Sequence, residues 1–264
     1  MSLMPFDDRD GSIWMDGKLV PWRDAKLHVL THGLHYASGV FEGERVYGKE
    51  IFKLTEHTER LHQSAELLGF KIPFTVAEID AACDQVVAAN NIVDGYVRPI
   101  AWRGSEMMGV SAQQNTIHLA IAAWEWPAYF SPEARMRGLK MRISDWARPD
   151  PRTAPTRSKA AGLYMICTMS KQAAEAKGCS DALMMDYRGY VAEATGANIF
   201  FVKNGEVHTP LADCFLSGIT RKEVIALLKR RGVKVIERHI LPEELDTFEQ
   251  CWLTGSAAEV TPVG

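Results

Sequence analysis

Two turns in this 264-residue chain combine a glycine, a hydroxyl and a possible helix start. In Ser217-Gly218-Ile219-Thr220-Arg221-Lys222-Glu223 the glycine permits a close approach, Thr220 can cap a helix, and Glu223 stands at the third position of a capping box. Thr254-Gly255-Ser256-Ala257-Ala258-Glu259 repeats that logic, with Ser256 as the cap. Free N–H groups at such starts bind phosphate, although on these features alone two ordinarily capped helices are the plainer explanation. Lys159 lies between a loop holding Pro149, Pro151 and Pro155 and the small residues Ala160-Ala161-Gly162. A ligand can approach its amine closely there, and a desolvated lysine can form a Schiff base, although a solvated surface lysine is the ordinary alternative. His28, His32 and His35 have spacings open to a metal, with His57 and His62 nearby, but no carboxylate follows at ligand spacing. They are expected to be hydrogen-bonded structural histidines, and no metal is expected. Alternation alone makes Tyr96-x-Arg98 an outward-facing strand pair.

The elements that must position these residues alternate between strand and helix. Hairpins are expected at Asp16-Gly17, Gly48 and Asn204-Gly205. Leu61, Ala65 and Leu68 recur at helical spacing and stop at Gly69. Thr75-x-x-Glu78 opens a second helix with Ile79, Ala82, Val86 and Val87 on its apolar face. Strands are expected over 96–102, 117–124, 139–143, 182–186, 199–203, 233–237 and 250–253, and helices over about 162–177 and 220–231. Trp126-Pro127 to Pro132 breaks both patterns, so a linker over 126–136 is expected to separate a domain at 1–125 from one at 137–264. Both halves mix strands and helices.

Composition narrows the function. With 47% hydrophobic and 24% charged residues and a formal charge of −3, the chain reads as an ordinary globular protein without a basic field for nucleic acid or an anionic membrane. No apolar run approaches the ~18 residues of a membrane span. The charged start at Asp7-Asp8-Arg9-Asp10 is no secretory signal, and Met1-Ser2-Leu3 ahead of Met4 reads as an added leader. Five scattered cysteines without a C-x-x-C pair point to a reducing, cytoplasmic setting.

Nine segments, in order, resemble the fold-type IV pyridoxal-phosphate aminotransferases, the branched-chain amino-acid aminotransferases above all. They are His32 to Tyr36, Phe41 to Arg45, His57 to Leu61, Tyr96 to Pro99, Met108 to Val110, Lys159 with Tyr164, Glu193 to Phe200, Gly218 to Arg221 and Thr254 to Pro262. The resemblance implies an α/β (α+β) fold of two domains, a smaller N-terminal one and a larger C-terminal one with a β-barrel-like sheet core. It implies pyridoxal 5'-phosphate as cofactor and amino-group transfer between L-Leu, L-Ile or L-Val and 2-oxoglutarate. Lys159 is then the lysine that bonds the cofactor and afterwards shuttles the substrate proton. Glu193 pairs with the pyridine nitrogen and Tyr164 with the ring oxygen. Arg60, Gly218, Ile219, Thr220 and Ser256 hold the phosphate, and Leu216 packs on the ring face.

For substrates, Tyr96, Ala257 and Ala258 would hold the α-carboxylate. Phe41, Gly43, Tyr36, Tyr129, Tyr164 and Val110 would form the apolar wall, and Arg98 with Tyr36 and Tyr129 would bind the distal carboxylate of glutamate. Tyr36 and the Met108 to Val110 loop are expected to reach in from a neighbouring subunit, which makes the protein at least a homodimer. The chain departs from the family in carrying Ser256 for Thr and in lacking a second acid between Glu193 and Asn198. It stops at Gly264 where related chains continue, so a closing C-terminal segment is expected to be missing. The rivals with the same fold and cofactor are D-amino-acid and R-amine transaminases and aminodeoxychorismate lyase. A homologue of the same fold that has lost its cofactor is the rival from outside catalysis, and the intact Lys159 and Glu193 argue against it.

Overall fold

Asp16 and Gly17 both have positive φ, 48° and 99°, the backbone a two-residue hairpin needs, and they fold strand β1 (Ser12–Met15) onto β2 (Lys18–Pro21). The computed structural model describes residues 4–126 and 132–264. The chain divides into two compact units, Met1–Pro127 with Ser158–Gly162, and Ala128–Arg157 with Leu163–Gly264.

The first unit continues through α1 (His32–Tyr36), β3 (Gly39–Phe41), β4 (Glu44–Tyr47), β5 (Glu50–Ile51), α2 (Leu54–Leu67), α3 (Val76–Ala89), β6 (Gly95–Arg103) and β7 (Ile117–Glu125). Its antiparallel sheet runs β2-β1-β7-β6-β4-β5, and β3 shares the β6 edge with β4. The apolar faces of α2 and α3, with Leu61, Ala65, Ile79 and Val86, close on Val40, Val46, Val97, Leu119 and Ile121 of the sheet. The expected capping box forms, since Thr75 Oγ1 accepts from Glu78 N and Glu78 Oε2 accepts from Thr75 N at 2.7 Å.

One stretch beside β6 matters most for the site. Pro99 accepts from Glu42 N at 2.8 Å but has no N–H to return, so the ladder is interrupted between β3 and β4 at Glu42-Gly43 while the register runs on unshifted.

The second unit contains α4 (Pro132–Arg137), β8 (Met141–Ile143), α5 (Met165–Glu175), β9 (Asp181–Met185), β10 (Val191–Ala194), β11 (Asn198–Lys203), β12 (Glu206–Pro210), α6 (Ile219–Arg230), β13 (Val235–Arg238), β14 (Gln250–Gly255) and β15 (Glu259–Val263). Sheets β10-β9-β8 and β13-β12-β11-β14-β15 share one core of Leu183, Val191, Ile199, Phe201 and Leu253. Helix α4 occupies the end of the stretch read as linker.

Two local expectations are corrected. The segment 254–259 does not start a helix. It turns β14 back into β15 with Gly255 opposite Glu259, whose φ is 54°, because strand pairing outweighs a capping pattern that fits either outcome. Helix α6 begins earlier than Thr220. Gly218 is its N-cap, without a side-chain cap, and Glu223 pairs with Arg230 instead of closing a box. Among the described residues no helix is long and apolar enough to cross a membrane.

Glu44 on β4 is fully buried, and neither carboxylate oxygen has a hydrogen-bond partner among the described residues. Burial first, then the nearby Glu42 and Asp80 carboxylates, push its pKa well above the ordinary 4.5. A folded-state pKa above the unfolded one contributes stability that is complete below the unfolded pKa and is lost as pH rises toward the folded one. Glu44→Gln removes that loss, so denaturant unfolding should find the variant more stable than wild type at pH 8, with the difference shrinking toward pH 5.

Candidate active site

Chemistry-bearing residues gather in two clusters, one on each unit. In the first, strand alternation puts Phe41 and Gly43 on the face of Tyr96 and Arg98 and turns Glu42, between them, to the other face. Phe41 N donates to Lys159 O at 3.2 Å, and the Phe41 ring lies 4.7 Å from the Arg98 guanidinium and 5.0 Å from Lys159 Nζ. The Arg98 guanidinium also lies 5.4 Å from the Tyr96 ring. Two cations thus lie within cation–π distance of one aromatic ring. Arg98 Nε is buried without a hydrogen-bond partner among the described residues, an orphan donor of the kind a bound anion satisfies. Gly43 lies so close to the Tyr96 phenol that a Cβ there would collide with it, so this position must be glycine for Tyr96 to keep its place.

Glu42 points the opposite way, toward α2. Its Oε1 accepts from Arg60 Nε at 2.7 Å, and its Oε2 accepts from Arg60 Nη2 at 2.7 Å and lies 2.7 Å from His57 Nδ1. Burial opposes ionisation of Glu42, but the Arg60 charge and the bonds from Arg60 and His57 outweigh it and hold the carboxyl far below the usual carboxylate range. Burial in turn lowers the His57 pKa, against the pull of Glu42.

His57, Arg60, Leu61 and Ser64 follow i, i+3, i+4, i+7 spacing on one face of α2. At the end of that row Ser64 Oγ accepts from Lys159 N at 3.0 Å, and Ser64 O accepts from Ser158 Oγ at 2.9 Å. One buried helix face therefore locates both Arg60 and the lysine segment. Tyr36 Oη donates to Met108 O at 3.0 Å and its ring stacks on His32, beside an exposed Val110. Tyr129 lies outside the described residues.

The second cluster centres on Asn198. Its Nδ2 donates to Glu193 Oε2 and to Leu216 O, and its Oδ1 accepts from Gly218 N, all at 3.0 Å. A Cβ on Gly218 would collide with that amide oxygen. The Ile219 and Thr220 amides behind Gly218 open α6 and have no intrahelical acceptor, so a phosphate can take them. Thr254 pairs with Asn198 across β11 and β14, which sets the Ser256-Ala257-Ala258 turn beside Gly196 and Ala197, and the buried Thr254 hydroxyl has no partner among the described residues.

Glu193 is backed by Arg148, with Oε1 3.3 Å from Nε. Arg148 is itself buried, and although burial opposes its charge the Glu193 carboxylate raises its pKa. Its Nη1 reaches Cys167 Sγ at 3.3 Å, on the helix that follows Tyr164. Burial pushes that thiol up to about 11, so it stays protonated at neutral pH.

The structure thus gathers Lys159, Phe41, Gly43, Tyr96 and Arg98 in the first unit, and Glu193, Leu216, Gly218, Ile219 and Thr220 around Asn198 in the second. Residue patterns gave no role to Glu42, Ser64, Arg148 or Asn198. The one signal in the chain for the first of these is that His57 and Arg60, three residues apart, share a face of α2. The histidines read as structural are engaged locally, His32 with Ser38 Oγ and Gly109 O, and His35 with Val29 O. Asp186, Asp213 and Cys214 lie close enough to share a ligand, but the Arg188 guanidinium occupies the two carboxylates at 2.6 and 2.8 Å.

A cradle of amides at a helix start, an orphan buried guanidinium and a lysine among small residues make the chain a candidate for covalent chemistry on a phosphate-bearing group. The profile of the family "Amino-transferase class IV" matches residues 39–264, and the chain belongs to that family. It is 44% identical to the branched-chain-amino-acid aminotransferase of Pseudomonas aeruginosa over 264 residues, covering 98% of this chain and 86% of the relative. Its fold matches the crystal structure of the branched-chain aminotransferase from the thermophilic archaeon Thermoproteus uzoniensis with norvaline at a TM-score of 0.91 and 35% identity, over 96% of this chain and 86% of that one. The branched-chain amino acid aminotransferase from Thermobaculum terrenum, in its PLP-bound holo form, matches at a TM-score of 0.86 and 30% identity, over 96% and 84%.

Asn198→Ala removes one bond to a carboxylate and two neutral bonds at once. It should cost about 3.5–5 kcal/mol in denaturant unfolding, since neutral bonds contribute ~1 kcal/mol each and a bond to a charged group ~1.5–3.

Proposed function

We propose that this chain transfers the amino group of L-leucine, L-isoleucine or L-valine reversibly to 2-oxoglutarate, with pyridoxal 5'-phosphate as cofactor. The observation that carries the reading is the orphan Arg98 Nε over Phe41 and Tyr96, in a chain 44% identical to a branched-chain-amino-acid aminotransferase. A guanidinium in an apolar pocket accepts an alkyl side chain against the aromatic rings and a distal carboxylate against its N–H groups. One pocket then serves both half-reactions.

When bound, the cofactor supplies a carbonyl that bonds to amines and a ring that accepts the electron pair of the substrate's Cα–H bond. Lys159 would carry the cofactor between turnovers, and its Nζ would take the Cα proton and return it on the other side of the transfer. Glu193, backed by Arg148 and Asn198, would pair with the ring nitrogen and help keep a proton there. Tyr164 would hold the ring oxygen, Leu216 would pack on the ring, and Arg60 with the Ile219 and Thr220 amides and Ser256 would hold the phosphate.

Tyr96 with the turn amides of Ala257 and Ala258 takes the α-carboxylate. Phe41, Tyr36, Tyr129, Tyr164 and Val110 line the side-chain pocket, where Gly43 leaves room for Tyr96. Tyr36 and Tyr129 assist Arg98 at the distal carboxylate.

A homodimer that shares its sites fits the exposed apolar surface of Val29, Leu34 and Val110, which are 70%, 62% and 85% exposed. A cytoplasmic setting fits five cysteines that are all free thiols, four of them buried.

Activity toward L-Leu, L-Ile and L-Val with 2-oxoglutarate should exceed that toward D-alanine and 1-phenylethylamine. Preference for either of the latter would overturn the substrate class. Arg98→Met should lower kcat/KM for 2-oxoglutarate by about 100-fold, as losing bonds to a charged group implies, while the half-reaction with L-leucine changes only a few-fold.

A further inference from the structure

We infer that Glu42 is a positioning residue that fixes the Arg60 guanidinium for the cofactor phosphate, an inference that rests on the reading of cofactor and phosphate ligands proposed above. Glu42 touches no reacting atom in that reading, and its side chain is fully buried. It is held from three directions, by Pro99 O on its backbone N–H, by His57 Nδ1, and by the Arg60 fork itself.

A guanidinium has five N–H donors in one plane, and engaging Nε and Nη2 with a rigid carboxylate fixes both the position and the tilt of that plane. Arginine otherwise carries a long, freely rotating stem, so an unheld Arg60 would spend most of its binding energy on ordering itself. The side chain of Arg60 is 11% exposed against 0% for Glu42, so the pair runs from a closed interior end to an open one.

Stability alone explains the arrangement poorly. A buried ion pair gains little net folding energy over an apolar pair of the same volume, because both charges lose their hydration. What this pair does deliver is geometry. It is set by the strand register, which puts Glu42 with Val40 and Val46 on the face that meets α2.

The test separates phosphate binding from everything else the site does. Apoprotein is titrated with pyridoxal 5'-phosphate and, in parallel, with pyridoxal, which lacks the phosphate, following visible absorption and tryptophan fluorescence. Glu42→Gln should weaken the phosphorylated form at least 10-fold, move the ³¹P resonance of the bound phosphate, and change pyridoxal affinity less than 2-fold. In an Arg60→Met background the same substitution should cost no further affinity, because it acts through Arg60.

If Glu42→Gln does not fold, Glu42→Asp decides the matter. It keeps the charge and shortens the reach, and it should weaken the phosphorylated form selectively in the same way. Equal weakening of both ligands, or no weakening of either, overturns the inference. Wild-type protein that binds neither ligand overturns the cofactor reading and this inference with it. Wild-type selectivity for the phosphorylated form that survives the Glu42 substitutions overturns the inference alone.

Discussion

One pairing organises the first unit. β3 and β4 lie in a single register along β6, from Gly39 opposite Trp102 to Val46 opposite Gly95, and Pro99, which has no N–H, interrupts the ladder without shifting it. Side chains therefore alternate straight through the gap. Phe41 lies by Arg98 and Lys159, Gly43 on the same face clears space for Tyr96, and Glu42 between them reaches α2 on the other.

Charge in both clusters is held by partners chosen for geometry. Arg60 has Glu42, and Glu193 has Arg148 and Asn198. Arg98 has aromatic faces where Arg60 and Arg148 have carboxylates, and its buried Nε is left without a hydrogen-bond partner among the described residues. In the proposed reading, that difference separates groups that support the site from a group left open to substrate. Asn198 extends the same economy, because a single amide ties the Glu193 carboxylate to the turn that opens α6.

Local features were legible in the residues. The Asp16-Gly17 hairpin and the Thr75-Glu78 box need nothing beyond their own neighbours, and both form where the pattern puts them. The turn at 254–259 was not legible, since Ser-x-x-Glu suits a helix start and only pairing of β14 with β11 and β15 selects a hairpin. The start of α6 depends on Asn198, 20 residues earlier in the chain. Lys159 has no local signature, and only the family resemblance gives it a role. Glu42 with Arg60 and Arg148 with Glu193 are pairs made by the fold, 18 and 45 positions apart, so no window of sequence contains their meaning.

The central claim is a lysine-bound cofactor that accepts an amino group from a branched-chain L-amino acid and passes it to 2-oxoglutarate. Its most direct test is the absorbance of protein loaded with pyridoxal 5'-phosphate. A visible band should fade on addition of L-leucine but not of D-leucine, return on addition of 2-oxoglutarate, and fail to cycle in Lys159→Ala. A folded, cofactor-loaded protein whose band ignores L-leucine would contradict the account.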